Sequence, residues 1–135
     1  MAKQPPVIVG LTVCRNIFTE GQPGEVSLTR IFTGVRCTSF PARMNHPLCV
    51  LAFLTDGEGD IPFDLLITRF GETIEPLQQR RGVIRFPDRQ RTVELVVRYP
   101  QFIFQRPGIY LFSLFIDGEW AAQRGLRVYQ AGGVP

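Results

Sequence analysis

The sequence feature that most constrains the fold is the run IYLFSLFI at residues 109–116, which is apolar on both faces if it forms a β-strand. Successive side chains of a strand point to opposite faces, so this run has no face suited to water. The dipeptide Asp117-Gly118 follows it. Such pairs favour two-residue hairpin turns, because both residues tolerate positive φ. The run therefore predicts antiparallel pairing between 109–116 and a last strand at about 119–129.

Turn signals separate several other strand-like segments of the chain. Apolar and polar residues alternate in 7–15 and 93–99, which is typical of half-buried strands. Further strands are predicted at 26–38, with a bulge near Thr29-Arg30, and at 48–54 and 61–67. The segment 71–92 is the least regular, and a short strand around Val83-Ile84, a turn of helix or a loop all fit it. The connecting turns are predicted at 21–25, 40–47 and 55–60.

No stretch of ten or more residues has a convincing helical period. Short strands at regular spacing, with Gly and Pro turns between them, predict an all-β protein. We expect an antiparallel β-sandwich of seven to eight strands. The chain has 135 residues, 44% of them hydrophobic and eleven of them Phe, which is enough for a core without disulfides or metal. A single domain over 1–135 is predicted, with an ordered core at about 7–129.

The three cysteines are Cys14, Cys37 and Cys49. An odd number without a CxxC pair argues against a disulfide framework or a structural zinc site. The first ten residues lack the features of a signal peptide, and no apolar run approaches the ~18 residues that a membrane span needs. These features favour a cytoplasmic protein without membrane contact.

Several turn and core residues resemble known patterns. Pro107-Gly108-x-Tyr110, at the entry to the apolar run, resembles the tyrosine corner of immunoglobulin-like sandwiches. With Phe40-Pro41, Phe104, Asp117-Gly118 and Leu126-x-Val128, it resembles a family of short bacterial proteins known only as a domain of unknown function. The resemblance covers about Val7 to Tyr129. It implies an immunoglobulin-like sandwich and assigns no catalytic residue.

Catalytic groups are sparse in this chain. His46 is the only histidine, and a nucleophilic system would need it beside Cys37 or Cys49. No activating signature surrounds either cysteine, and Cys49 lies in an apolar run that disfavours its thiolate. A histidine in a loop before proline is more often a solvated turn residue. The sequence therefore predicts a non-enzymatic protein.

Asp56, Glu58 and Asp60 alternate with glycines, a spacing that calcium loops use. An EF-hand would need Gly at the sixth position and Glu at the twelfth, where this chain has Ile61 and Ile67. An acidic hairpin turn is the simpler interpretation. We predict no cofactor and no metal, while cation binding by this turn stays an open alternative.

Five arginines lie within twelve residues, with Phe86 among them, and they are Arg80, Arg81, Arg85, Arg89 and Arg91. Clustered arginines beside a stacking aromatic are one characteristic of single-stranded nucleic-acid binding. Arginine is also the default cation of this chain, which has one lysine and a net charge of only +3. A solvated loop is therefore the competing interpretation, and polyanion binding by these arginines is the alternative function.

The run LCVLAFL at 48–54 is also apolar on both faces. Sandwich strands usually bury one face and expose the other to water, so something must cover the second face. The segment 71–92, the N-terminal arm or another protein chain could provide the cover. The predicted interface consists of Ile109, Leu111, Phe115 and, on a neighbouring strand, Leu51 and Phe53. The primary functional hypothesis is a non-enzymatic interaction module that binds itself or another protein.

Overall fold

The computed structural model describes residues 6–18, 26–71 and 76–131. The predicted turn at 21–25, residues 72–75 of the irregular segment and the tail from 132 lie outside the described residues. Every regular element in the described part is a strand. The strands are β1 (Val7–Phe18), β2 (Ser27–Ile31), β3 (Gly34–Cys37), β4 (Ala42–Arg43), β5 (Leu48–Thr55), β6 (Gly59–Arg69), β7 (Gln78–Phe86), β8 (Val93–Tyr99), β9 (Ile103–Phe104), β10 (Gly108–Ile116) and β11 (Glu119–Gln130).

The strands form two main sheets and a short ribbon. Sheet I has the order β2-β1-β5-β8, and sheet II has the order β3-β11-β10-β6-β7. Strands β4 and β9 pair separately as a two-residue ribbon. All pairs are antiparallel except β3 with β11, which are parallel. The prediction of an all-β fold is confirmed, and the mostly antiparallel pairing agrees with it.

The apolar core draws on both sheets. Alternate side chains of β5 and β8 from sheet I and of β6, β10 and β11 from sheet II belong to one buried cluster. Its largest fully buried members include Tyr110, Phe112, Phe104, Leu54 and Leu65. The two sheets therefore bury their facing sides against each other, and each has a second side that points away from this core.

The predicted single strand at 26–38 is two strands in different sheets. The chain leaves sheet I after Ile31 and enters sheet II at Gly34. The register between β1 and β2 has no shift at the predicted bulge, and the irregularity there is the positive φ of Arg30, 53°. The apolar pattern continues through the change of sheet, because residues on both sides of it contact the same core.

The irregular segment contains a full strand. Strand β7 pairs with β6 from Gly59↔Phe86 to Ile67↔Gln78. Its first four residues are polar and exposed, which hides the strand pattern, and it lies at the edge of sheet II. Because β7 extends the sheet sideways, it does not cover the outer face of β10.

The hairpin at Asp117-Gly118 is confirmed. Strands β10 and β11 pair antiparallel across it, and the two turn residues have φ values of 52° and 82°. A register shift at Leu114/Phe115 makes room for one extra residue of β11. The Tyr110 hydroxyl donates to the carbonyl oxygen of Arg106 at 2.5 Å, which gives the tyrosine-corner contact that the sequence suggested.

Candidate functional site

The outer face of sheet II contains three of the predicted interface residues. Ile109 is 46% exposed, while Leu111 and Phe115 are half-buried. Trp120 of β11 lies opposite Phe115 and is 60% exposed. We define the apolar outer face by the apolar side chains on this side of the sheet: Pro62, Leu66, Phe70, Val83, Ile109, Leu111, Phe115 and Trp120. Thr68, Ser113 and Gln123 lie on the same side among them.

The other two predicted interface residues lie elsewhere. Leu51 and Phe53 belong to β5 in sheet I, so their outer face is on the opposite side of the molecule. Leu51 is only 1% exposed, because it is part of a second buried cluster with Cys14, Ile17 and Cys49. The five residues therefore do not form one surface, and the prediction that β5 neighbours β10 is wrong.

The outer side of β5 is buried by residues of sheet I itself. Val26, just before β2, and Leu28 of β2 pack against the second cluster. The Arg98 Nη2 atom of β8 donates to the Ile17 carbonyl oxygen at 3.0 Å and anchors the end of β1 across β5. The second apolar face of 48–54 is thus buried by other residues of sheet I, which were not among the covers that the sequence suggested.

Three of the five clustered arginines are paired with carboxylates. The outer side of the β6–β7 hairpin has the ion pairs Arg81–Asp64 at 2.7 Å, Arg85–Asp60 at 3.4 Å and Arg89–Asp56 at 3.2 Å. Asp64 and Arg81 are directly opposite in the register of β6 and β7, and so are Asp60 and Arg85. The same register, continued beyond the strand ends, sets Asp56 against Arg89. We call these six residues the charge ladder. Much of the positive charge predicted to attract a polyanion is compensated there.

The two remaining arginines of the cluster differ in their surroundings. The Arg80 Cζ atom lies 4.9 Å from the Tyr99 ring centroid, on the inner side of the hairpin at the edge between the sheets. Burial raises the pKa of the Tyr99 hydroxyl, and the nearby Arg80 charge opposes that shift. Arg91 is exposed in the loop that follows β7. The five arginines therefore do not form one cationic surface.

The acidic turn at 56–60 leads from β5 into β6 and packs on the open end of the β6–β7 hairpin. A Cβ atom added to Gly57 would lie 2.6 Å from the Phe86 ring, so the backbone packs closely on that ring. Two of its carboxylates are members of the charge ladder. Across 6–18, 26–71 and 76–131, no group of three or more His, Cys, Asp or Glu side chains is arranged to hold a metal ion.

The candidate catalytic groups are not activated. Cys37 and His46 both line a cavity of about 430 Å³, but burial raises the pKa of the Cys37 thiol and so disfavours its thiolate. Burial also raises the pKa of Cys49. The His46 Nδ1 atom lies 3.0 Å from the carbonyl oxygen of its own neighbour, Pro47.

A cavity of about 440 Å³ opens at the end of the sheets where β6 ends and β10 begins. Its walls combine the apolar Phe102 and Ile103 with Gln78 and Gln101. Arg69, at its edge, donates from Nε and Nη2 to the Pro107 carbonyl oxygen, at 2.9 and 2.7 Å. That guanidinium therefore stabilises the turn before β10.

Sequence reasoning missed a second group of arginines where the chain changes sheets. Two cavities of about 430 and 440 Å³ share Val35, Arg36, Met44 and His46 as lining residues, and we call them together the crossover groove. Its other cationic lining residues are Arg15, Arg30 and Arg43. The sequence did contain one indication of this cationic group, because the segment 26–55 has arginines but no Asp or Glu.

No helix in the described residues has the length and apolar character that crossing a membrane requires.

Comparison with curated proteins gave no match. A protein-family model matches residues 10–129, nearly all of the strand-forming part of the chain. The chain therefore belongs to the family DUF6941, a family of unknown function.

Proposed function

We propose that this protein is a non-enzymatic interaction module that binds a second copy of itself through the apolar outer face of sheet II. The observation that carries the proposal is the exposed Trp120 beside Phe115 on a face that also contains Ile109 and Val83. Contiguous exposed apolar surface is uncommon on monomers and usually marks an interface. Tryptophan is enriched among the residues that dominate binding energy.

A second copy is the partner that the charges on this face favour. The charge ladder places Arg and Asp side by side next to Phe115, since Asp64 lies opposite both Phe115 and Arg81 in the registers of sheet II. In a two-fold contact the same patch of each copy faces the other, so a residue i of one copy contacts a residue j of the second, and j of the first contacts i of the second. A face with both charge signs around an apolar centre is therefore self-complementary.

The same proposal includes the finer description of the protein. We interpret the fold as an immunoglobulin-like sandwich in a bacterial cytoplasmic protein, folded as one domain. The Tyr110–Arg106 contact supports the immunoglobulin-like interpretation. Three buried free thiols support a reducing compartment and an absence of thiol catalysis.

Replacing Trp120 tests this function. The side chain is 60% exposed, so Trp120→Glu should leave the melting temperature of the protomer nearly unchanged. In the assembled protein, the same change puts a carboxylate into a dry contact and should convert dimer to monomer. Phe115→Glu should have the same effect on mass but should also lower the melting temperature, because Phe115 is half-buried in the protomer.

The matched control is Val9→Glu, because Val9 is 66% exposed on β1 of the other sheet. Light scattering and sedimentation over a range of concentrations give the mass, and a thermal melt gives the stability. Retention of the dimer by Val9→Glu, with its loss in Trp120→Glu, supports the proposal. A wild-type protein that is monomeric at every concentration would exclude self-association.

A further inference from the structure

The crossover groove is a direct result of the change of sheet. Residues up to Ile31 belong to sheet I and residues from Gly34 to sheet II, so the backbone between them spans the gap at one edge of the two sheets. The loop that includes Met44 and His46 forms the facing wall. Each of the two cavities has the volume of a small-ligand site.

The described lining of the groove is cationic. Arg15, Arg30 and Arg36 line one cavity, and Arg36 and Arg43 line the other. Among the residues that the structure describes, none that lines either cavity is Asp or Glu. This distinguishes the groove from the β6–β7 hairpin, where each of three arginines has its own carboxylate. An anion in the groove would therefore meet the positive charge of these four arginines.

The geometry of β1 and β2 brings two of these arginines to one cavity. Arg15 and Arg30 lie between the paired positions Cys14↔Ile31 and Asn16↔Thr29, and both line the same cavity. Arg30 has a φ of 53°, which is uncommon for a residue other than Gly, Asn or Asp. An anion bound in this cavity would be attracted by both positive charges.

An aromatic surface lies at the junction of the two cavities. The rings of Phe32 and His46 are 6.3 Å apart, and His46 lines both cavities. Bases of single-stranded nucleic acids stack on such rings, while arginines beside them contact the phosphates. Thr38, Ser39 and Asn45 add neutral polar groups to the wall of one cavity.

We propose that the crossover groove binds single-stranded nucleic acid, with Arg15, Arg30, Arg36 and Arg43 on the phosphates and Phe32 and His46 against a base. Two adjoining cavities that share a ring and an arginine match successive nucleotides. A simple inorganic anion would use the arginines but not the rings. None of the residues that define the apolar outer face lines the crossover groove, so the two proposals rest on different residues.

The test is fluorescence anisotropy with labelled oligo-uridylate and oligo-thymidylate, titrated at low and at moderate salt. Four phosphate contacts on a single strand give a slope of about −2.8 for the logarithm of the association constant against the logarithm of the salt concentration. Affinity should therefore fall roughly 50-fold between about 50 and about 200 mM salt. The two oligonucleotides distinguish RNA from DNA as the source of the same backbone chemistry.

The informative variants remove charge at exposed positions. Arg30→Gln and Arg36→Gln should each weaken binding and reduce the salt slope by about 0.7. Phe32→Leu should weaken binding of the oligonucleotides but leave that of inorganic polyphosphate unchanged. The matched control is Arg91→Gln, an exposed arginine outside the groove, which should bind like the wild type. Circular dichroism of each variant shows whether it is folded.

Three results would overturn the proposal. The first is no binding of either oligonucleotide at low salt. The second is equal loss of affinity in Arg91→Gln and Arg36→Gln, which would indicate diffuse charge attraction. The third is equal affinity for polyphosphate and oligonucleotide with no effect of Phe32→Leu, which would identify an anion site without base recognition. None of these results depends on the oligomeric state that tests the proposed function.

Discussion

The carboxylate of Asp64 and the guanidinium of Arg81 lie 2.7 Å apart on directly opposed positions of β6 and β7. Arg85 and Arg89 repeat the arrangement with Asp60 and Asp56, four residues further along each side of the hairpin. A spacing of four keeps the members within β6 and β7 on one face, because strand side chains alternate with period two. Asp56 and Arg89 lie just beyond the ends of these strands.

Exposed ion pairs of this kind contribute little stability. In a double-mutant cycle with Asp64→Ala and Arg81→Ala, we expect a coupling free energy of about 0.2–1 kcal/mol, decreasing with added salt. Urea unfolding of the four proteins measures it. Arg91→Ala combined with Asp64→Ala is the control and should show no coupling. A coupling unaffected by salt would contradict the assignment as a solvent-exposed pair.

Tyr110 is expected to be a larger contributor. Its hydroxyl donates to the Arg106 carbonyl oxygen, and its ring packs edge-on against Phe104 with centroids 4.9 Å apart. Tyr110→Phe keeps the ring but removes the donor, so the free energy of unfolding should fall by about 1–2 kcal/mol. Tyr129→Phe, on β11, should change it by less than about 0.5 kcal/mol. Equal effects of the two changes would show that the corner contact is not stabilising.

Gly82 of β7 is expected to tolerate no side chain. A Cβ atom there would lie 2.7 Å from the ring of the opposing Phe63, which is buried. Gly82→Ala should therefore cost about 1–3 kcal/mol of stability through overpacking. Gly10→Ala is the matched strand control, since no atom lies within 4 Å of its added Cβ, and it should be neutral or stabilising by up to about 1 kcal/mol. A thermal melt of both variants decides between these outcomes.

Alkaline pH should destabilise the protein partly through Cys14. Burial, followed by the neighbouring Cys49, raises the pKa of the Cys14 thiol from 9.0 to about 11. The unfolded chain therefore loses this proton first, so the thiol's contribution is complete below pH 9, declines above it and is lost by about pH 11. The shift corresponds to at most about 3 kcal/mol.

The comparison that isolates this effect uses two truncations in β1. Cys14→Ala should show a smaller loss of unfolding free energy between neutral and alkaline pH than the wild type. Val13→Ala also leaves a buried cavity but removes no titrating group, so it should keep the wild-type pH dependence. An identical pH dependence in all three proteins would exclude Cys14 as a source.

Local sequence predicted the parts of the fold that local contacts determine. The β10–β11 hairpin needs only an apolar strand, a turn dipeptide and a following strand, and all three are contiguous. Strand β7 could not be identified in this way, because an edge strand with polar residues at one end has no alternating pattern. Its conformation depends on β6, which provides its hydrogen-bond partners.

The candidate sites show the same limit. Arginines and aspartates at intervals of four are visible in the sequence, but their pairing follows only from the register of β6 and β7. The crossover groove gathers Arg15, Arg30, Arg36 and Arg43 through a change of sheet that the continuous apolar pattern of 26–38 conceals. Density of charge along the chain was therefore a poor guide to the density of charge in space.

The parallel pairing of β3 with β11 has a consequence for how the chain reaches this structure. Gly34 of β3 pairs with Arg127 of β11, so the edge strand β3 can pair only after β11, the last described strand, is present. The chain loses conformational entropy when it closes a loop of this length, and the contact between the strands stabilises it only afterwards. Contacts between residues so far apart in sequence are typical of slow, high-contact-order folders. During synthesis on the ribosome, sheet II stays open on the β3 side until β11 has emerged.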